Sequence, residues 1–259
     1  MEIYATLPLD YRAKKMIVTD LDGTLAPSKS AIDGEMAVLI AELLRHKSLA
    51  VIGGGSYEQF RDQFISALDI GAEQARSLYL FPTCATSMYV FSKGGWLCAY
   101  AERLTRPEKE KITKAFNLAL PLGGYVRPIK TYGEVLEDRG TQITFSALGQ
   151  TAPLHLKSSW DPDASRRMAI KAYLEKIIPE FDVRIGGTTS IDVTRKGRDK
   201  AYGIRNIVKR LHYGINEMLF IGDALFEGGN DYPARTTGVD CIQISGPEEA
   251  KALIRDMVL

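Results

Sequence analysis

Three short apolar runs, each broken at its end by an acidic or glycine-rich turn, constrain this chain more than any other feature. Residues 16 to 19 stop at Asp20, residues 49 to 52 stop at Gly53, and residues 218 to 221 stop at Gly222-Asp223. A short β-rich run that is apolar on both sides reads as a strand buried in a parallel sheet. Helix-patterned segments accompany the runs. Asp33 is a predicted N-cap for a helix whose Met36, Leu39, Ile40, Leu43 and Leu44 share one face. Tyr57, Phe60, Phe64 and Leu68 repeat the pattern after the second run, and Ile204, Ile207, Val208 and Leu211 repeat it before the third. Strand, loop and helix in alternation predict an α/β fold with a parallel sheet. Ligands of such sheets bind beyond the carboxyl ends of the strands, so the loops at 20, 53 and 222–223 are expected to converge on one edge.

A third strand is predicted at 78–81, after which the pattern changes. Strand-like stretches at 141–145, 183–185 and 190–193 and helix patterns at 107–119 and 163–177 read as a separate α+β unit. The βα pattern then resumes, with strands at 218–221 and 241–244 and a last helix opened by Pro247, Glu248 and Glu249. The predicted organisation is one α/β domain, residues 1–93 and 194–259, interrupted by an insertion at 94–193.

Charge narrows the partners. With 33 basic residues against 32 acidic ones, the net charge is +1. No field favours nucleic acid, and the densest basic grouping, Arg195 to Arg198, is too short for a nucleic-acid footprint. No apolar run approaches the length of a membrane span, and the N-terminus has no basic segment followed by an apolar stretch. Cys84, Cys98 and Cys241 are odd in number and lack metal-site spacing, which fits a reducing compartment. The expectation is a cytoplasmic protein without nucleic-acid or membrane partners, as monomer or homodimer.

Converging loops would bring Asp20, Asp22, Asp223 and Asp231 together. Crowded carboxylates repel unless a cation sits among them, and an all-oxygen donor set without His or Cys fits Mg2+. Next to such an ion, Asp20 is the expected nucleophile toward a phosphate ester. Asp22, from the same loop, is the expected acid for the leaving group and base for water. Gly23 allows the turn between them, and Lys200 is placed to offset charge in the transition state.

These residues carry a resemblance. Asp20-Leu21-Asp22-Gly23-Thr24 resembles the first motif of the haloacid dehalogenase-like phosphatases. Ser56 beside Gly54 and Gly55, Lys200 at the end of residues 196–200, Gly222-Asp223 and Gly228-Gly229-Asn230-Asp231 follow in that family's order. Within the superfamily the chain is similar to type IIB members and above all to eukaryotic-type phosphomannomutases, through Gly54-Gly55-Ser56, Arg139-Gly140-Thr141, Ser190-Ile191-Asp192-Val193 and Asp199-Lys200. The resemblance implies a Rossmann-like parallel-sheet core with an α+β cap of the C2B type, Mg2+ as cofactor and a small phosphate ester as partner. It further implies substrate contacts at Lys29, Gly55, Ser56, Arg139, Ser190, Asp192 and Asn230.

Several of these positions have a plainer reading. Ser56 is also a helix N-cap, and Arg139 follows Glu137 and Asp138, with which it can pair locally. One departure bears on the reaction. Where the mutases carry a cap arginine to grip a second phosphate, this chain has Ser146, and Gln150 to His155 replace the pattern that follows; Lys157, Arg166 and Arg167 are the candidate substitutes. A phosphate dianion is best gripped by fork-shaped donors, so hydrolysis of a sugar phosphate or similar monoester is expected ahead of a phosphohexomutase. A non-catalytic sugar-phosphate-binding protein is the alternative of another class.

Overall fold

The computed structural model describes residues 10–28 and 30–258. Eleven strands lie among them, in chain order β1 Met16–Thr19, β2 Ser48–Ile52, β3 Leu78–Phe81, β4 Ser87–Ser92, β5 Gly95–Ala101, β6 Leu136–Asp138, β7 Ile143–Ser146, β8 Phe181–Gly186, β9 Ser190–Arg195, β10 Met218–Gly222 and β11 Asp240–Gln243. They form a seven-stranded sheet in the order β11-β10-β1-β2-β3-β4-β5 and a four-stranded sheet in the order β6-β7-β9-β8. The first five strands of the larger sheet are parallel, whereas β4 and β5 run antiparallel at its edge.

The central strands are apolar throughout because both faces are covered. Ile17, Leu49, Val51, Leu219 and Ile221 pack on one side with the helices Gly34–His46 and Pro247–Val258. Met16, Val18, Ala50, Ile52, Met218 and Phe220 face the other way, against Ile204 and Ile207 of the helix Lys200–Leu211. Asp33 caps the first of these helices, accepting from the Met36 amide at 2.9 Å. The stripe Met36, Ala37, Ile40, Leu43, Leu44 is buried, as the three- and four-residue spacing requires.

The smaller sheet is wholly antiparallel and is covered by the helices Arg106–Leu122 and Ser165–Ile177. Phe116, Phe145, Ile170, Leu174, Ile191 and Val193 form its separate core. It is the α+β cap. The cap is not the stretch 94–193 read from the sequence, because residues 95 to 101 form β5 and pair with β4 in the larger sheet. The β4–β5 hairpin carries aromatic and apolar residues on both strands, so periodicity assigns it to either unit. Only pairing decides. At the other end β9 continues to Arg195, two residues beyond the expected boundary.

Candidate active site

Asp20 directly follows β1, and its amide still donates to Ile221 O of the neighbouring strand at 3.3 Å. The chain then folds back on itself: Leu21 O accepts from the amides of Thr24, Leu25 and Ala26. Gly23 makes this turn with φ +88°, and a Cβ there would lie 2.4 Å from Asp223 Oδ2. Glycine is therefore required twice, by conformation and by the approach of the second loop. Gly222 ends β10 under a similar limit, since a Cβ would come within 2.3 Å of Asp231 Oδ2.

These close approaches pack carboxylates. Asp20, Asp223 and Asp231 each bring an oxygen within 4.8 Å of the others. Asp231 is fully buried, and its Oδ2 accepts from the Ala224 amide at 3.1 Å. Lys200, the first residue of its helix, enters from the other side. Its Nζ donates to Asp20 Oδ1 at 2.6 Å and to Ile52 O, and stands 3.2 Å from Asp231 Oδ1. That last approach is an ion pair without hydrogen-bond alignment, so Asp231 Oδ1 is a buried acceptor lacking a donor among the described residues.

Burial dominates the electrostatics. It pushes the Asp20 carboxyl up to about 7, against the pull of Lys200 and with a further push from Asp231 and Asp22. Asp223 is raised for the same reason, with Asp231 adding to the effect. Burial disfavours the Lys200 ammonium as well, but Asp20 and Asp231 outweigh it and hold the group well above the ordinary lysine range. One cation thus serves three clustered carboxylates. The orphaned Asp231 oxygen and the all-oxygen donor set fit a hard divalent cation at Asp20, Asp223 and Asp231.

Asp22 does not join this group, contrary to the four-carboxylate expectation. It lies on the wall of the adjoining cavity, within electrostatic reach of Asp20 and of the cap's Lys157. The turn explains the difference. Strand alternation would put positions 20 and 22 on one face, but the chain has already left β1 and turned, with Gly23 N donating to Ala26 O at 2.7 Å, so position 22 no longer follows the strand.

The cavity has a volume of about 610 Å³ and lies between the sheet edge and the cap. Gly53, Gly54 and Gly55 line its floor together with Asp20, Asp22, Lys200 and Asp223, and Asn230 is exposed at its margin. Ser190 and Asp192 line its roof. Asp192 accepts from Thr144 Oγ1 at 2.8 Å, and Ser190 Oγ lies 3.1 Å from Ser146 Oγ.

Two expected contacts are engaged within the protein. Ser56 caps the helix Tyr57–Gln63 in a capping box, with Oγ 3.3 Å from the Gln59 amide, and lines a different cavity behind the glycine loop. Arg139 reaches the cavity but is held by Glu137 at 2.8 Å and by Gly54 O at 2.7 Å. Lys29 lies outside the described residues. Of the candidate replacements for the mutase arginines, Arg167 is buried and bound to Asp161 at 2.7 Å, Arg166 lies over the Trp160 ring, and Lys157 donates to Gln150 O at 2.8 Å.

The sequence reading missed Arg184, Thr144 and Cys84, which also line the cavity. Strand alternation with Asp192 opposite was the available signal for Thr144 and Arg184, since both pair with Asp192 across β9. Cys84 had none. It belongs to the run Thr83, Cys84 and Ala85, all with positive φ.

The Asp20 loop after the central strand, an acidic loop after the neighbouring strand, a lysine opening the helix that precedes that strand and an inserted cap define a member of the haloacid dehalogenase-like superfamily. Solved structures agree at the level of fold. The IMP-bound, N-terminally truncated Plasmodium falciparum IMP-nucleotidase matches with a TM-score of 0.69 at 15% identity, over 96% of this chain and 69% of that one. A trehalose-6-phosphate phosphatase related protein matches with a TM-score of 0.55 at 15% identity, over 94% and 96%.

The family model for eukaryotic phosphomannomutase matches residues 36–258, and the chain belongs to that family. The phosphomannomutase of Schizosaccharomyces pombe is 25% identical over 238 residues, 88% of each chain. That of Encephalitozoon cuniculi is 29% identical over 230 residues, 85% of this chain and 83% of its own. The chain is an enzyme-family member of the phosphotransferase and phosphatase class, and these relatives' names favour the mutase alternative over the phosphatase reading. No helix of the described residues is long and apolar enough to cross a membrane.

Proposed function

We propose that this protein transfers the phosphoryl group of a small phosphate monoester, a sugar phosphate by preference, to Asp20 and then to water. The observation that supports it most is the buried juxtaposition of Asp20 with Lys200, Asp223 and Asp231 at the foot of the cavity. A binding protein would gain nothing from such a costly cluster.

Asp20, Asp223 and Asp231 would hold Mg2+, which when bound offsets negative charge on the carboxylates and phosphoryl oxygens. Asp20 forms the new oxygen–phosphorus bond as the ester oxygen–phosphorus bond breaks. Asp22 gives its proton to the departing alkoxide. It then takes a proton from the water that attacks the aspartyl phosphate, releasing inorganic phosphate and restoring the Asp20 carboxylate. Lys200 orients Asp20 and favours its ionised form before the attack.

Hydrolysis is supported by the state of the arginines. Both guanidinium groups on the described cavity wall, Arg139 and Arg184, are already engaged, the second with Asp182 at 2.6 Å, so neither is presented to a second phosphate. Membership of the phosphomannomutase family supports a second reading, in which a hexose hydroxyl takes the place of water. Phosphate release and isomerisation are measured side by side on mannose 1-phosphate and glucose 1-phosphate, with Mg2+ and with or without a hexose bisphosphate activator. Isomer formation without net phosphate release rejects the hydrolase in favour of the mutase, and silence on every phosphate ester rejects both.

A further inference from the structure

The tip of the β6–β7 hairpin is where the cap rests on the larger sheet, through Arg139, Thr141 and Gln142. Arg139 Nη1 donates to Gly54 O at 2.7 Å, and Gln142 Nε2 donates to the same oxygen at 3.0 Å. Thr141 Oγ1 joins a buried hydroxyl cluster with Thr83 and Thr86, at 2.9 and 2.6 Å. The Arg139 side chain is only 4% exposed, and Glu137 holds its Nε and Nη2 edge at 2.9 and 2.8 Å, leaving Nη1 for Gly54. A guanidinium fixed in this way makes a short, charge-assisted bond whose direction is set before any substrate arrives.

The other carbonyls of the glycine loop are tied from the same side. The left-handed run at Thr83 and Cys84 presents consecutive amides, which donate to Gly55 O at 2.8 Å and to Gly53 O at 2.9 Å. A trans peptide is planar, with N–H and C=O pointing opposite ways. Pinning Gly53 O and Gly54 O behind the loop therefore turns the Gly54 and Gly55 N–H groups toward the cavity those residues line. Donation to a carbonyl also polarises the N–H of the same peptide unit. The Gly54 carbonyl and the Gly55 amide are one such unit.

We propose that Arg139, aided by Gln142, is a positioning residue: it clamps the cap hairpin to the Gly54 carbonyl and so aims and polarises the loop amides for the transferring phosphoryl oxygens. This goes against the substrate contact expected of Arg139. The inference rests on the phosphoryl-transfer reading, and it assigns the cap a part in building the phosphate site in addition to covering it.

The test compares the full-length wild type with Arg139→Met, Arg139→Lys and Gln142→Met in Mg2+. Turnover is read on p-nitrophenyl phosphate, which has no sugar, and on glucose 1-phosphate, and orthovanadate affinity is read by calorimetry. A loop amide set loses part of its effect when its support is removed, so Arg139→Met is expected to lower kcat/KM about tenfold or more. The loss is equal for both esters, orthovanadate binding weakens in parallel, Gln142→Met loses less, and Arg139→Lys is partly rescued. A loss confined to glucose 1-phosphate restores the substrate-contact role and overturns the proposal. So do unchanged kcat/KM and orthovanadate affinity in folded Arg139→Met, whatever its Tm. Should Arg139→Met fail to fold, Arg139→Lys and Gln142→Met decide by the same criteria. Wild type inert on both esters defeats the functional reading alone, because orthovanadate binding still reports on the clamp.

Discussion

Lys200 Nζ lies 2.6 Å from Oδ1 of Asp20, although the two residues are 180 positions apart and both are buried. The pair sets how Asp20 behaves. The ammonium is what opposes the burial that raises this carboxyl. Removing Asp20 by Asp20→Asn leaves the ammonium its bond to Ile52 O and its approach to Asp231. The variant is expected to fold, as read by circular dichroism and thermal melting, while kcat falls by about 10³-fold or more because the amide cannot attack phosphorus. Wild-type turnover in folded Asp20→Asn would remove Asp20 from the chemistry.

Metal binding should be visible without activity. The Asp20 carboxyl sits near 7 against an ordinary 3.8, so the folded protein holds this proton more firmly than the unfolded chain does. Its contribution to stability is complete below about pH 4 and is lost as pH rises through about 7. Mg2+ acts on the ionised form. At a hundredfold excess over Kd it should raise Tm by roughly 5–10 °C at pH 8 and by much less at pH 5. Equal shifts at both pH values in calorimetric scans would contradict a site built on Asp20.

Among the described residues Asp231 Oδ1 has no hydrogen-bond donor, and its burial is offset by the Lys200 ammonium at 3.2 Å. Asp231→Asn is expected to weaken Mg2+ binding about tenfold or more by calorimetric titration, and to lower kcat/KM with it. Unaltered affinity would exclude Asp231 as a ligand.

Gly23→Ala tests the turn. The substitution forces a Cβ into a positive φ at a cost of about 1–2 kcal/mol, and into a carboxylate 2.4 Å away. A Tm lower by several degrees together with weaker Mg2+ binding is the expected result. A drop in Tm with unchanged Mg2+ affinity would mean that Asp223 moves aside without belonging to the site.

The cap has its own pH-sensitive joint. Glu108 opens the helix Arg106–Leu122, caps Thr105 and pairs with Arg195 of β9 at 2.7 Å, and the Arg195 bond holds its carboxyl down to about 2 from an ordinary 4.5. A depressed carboxyl stabilises above its unfolded value and loses that contribution as pH falls from about 4.5 through 2. Because the pair is a quarter to a third exposed, screening reduces its worth to about 1 kcal/mol. Glu108→Gln should melt a few degrees below wild type at pH 7, with the gap closing toward pH 2. A gap independent of pH would assign the loss to capping alone.

The sequence by itself located the five parallel strands of the larger sheet and the helices Gly34–His46, Lys200–Leu211 and Pro247–Val258, because a strand buried on two faces and a helix buried on one leave different periods in the residues. It also located the loops at positions 20, 53 and 222–223, since each interrupts an apolar run where the sheet ends. Tertiary structure alone decided which carboxylates meet. Asp231 joins Asp20 and Asp223 because residues 223 to 231 double back through the mutual Ala224 and Asp231 bonds, while Asp22 turns to the cavity wall. It also assigned β5 to the larger sheet and set Arg139 against the Gly54 carbonyl. Period and propensity describe what a residue does along its own element. Contacts such as Lys200 with Asp20 arise from strand order and register, which no local pattern encodes.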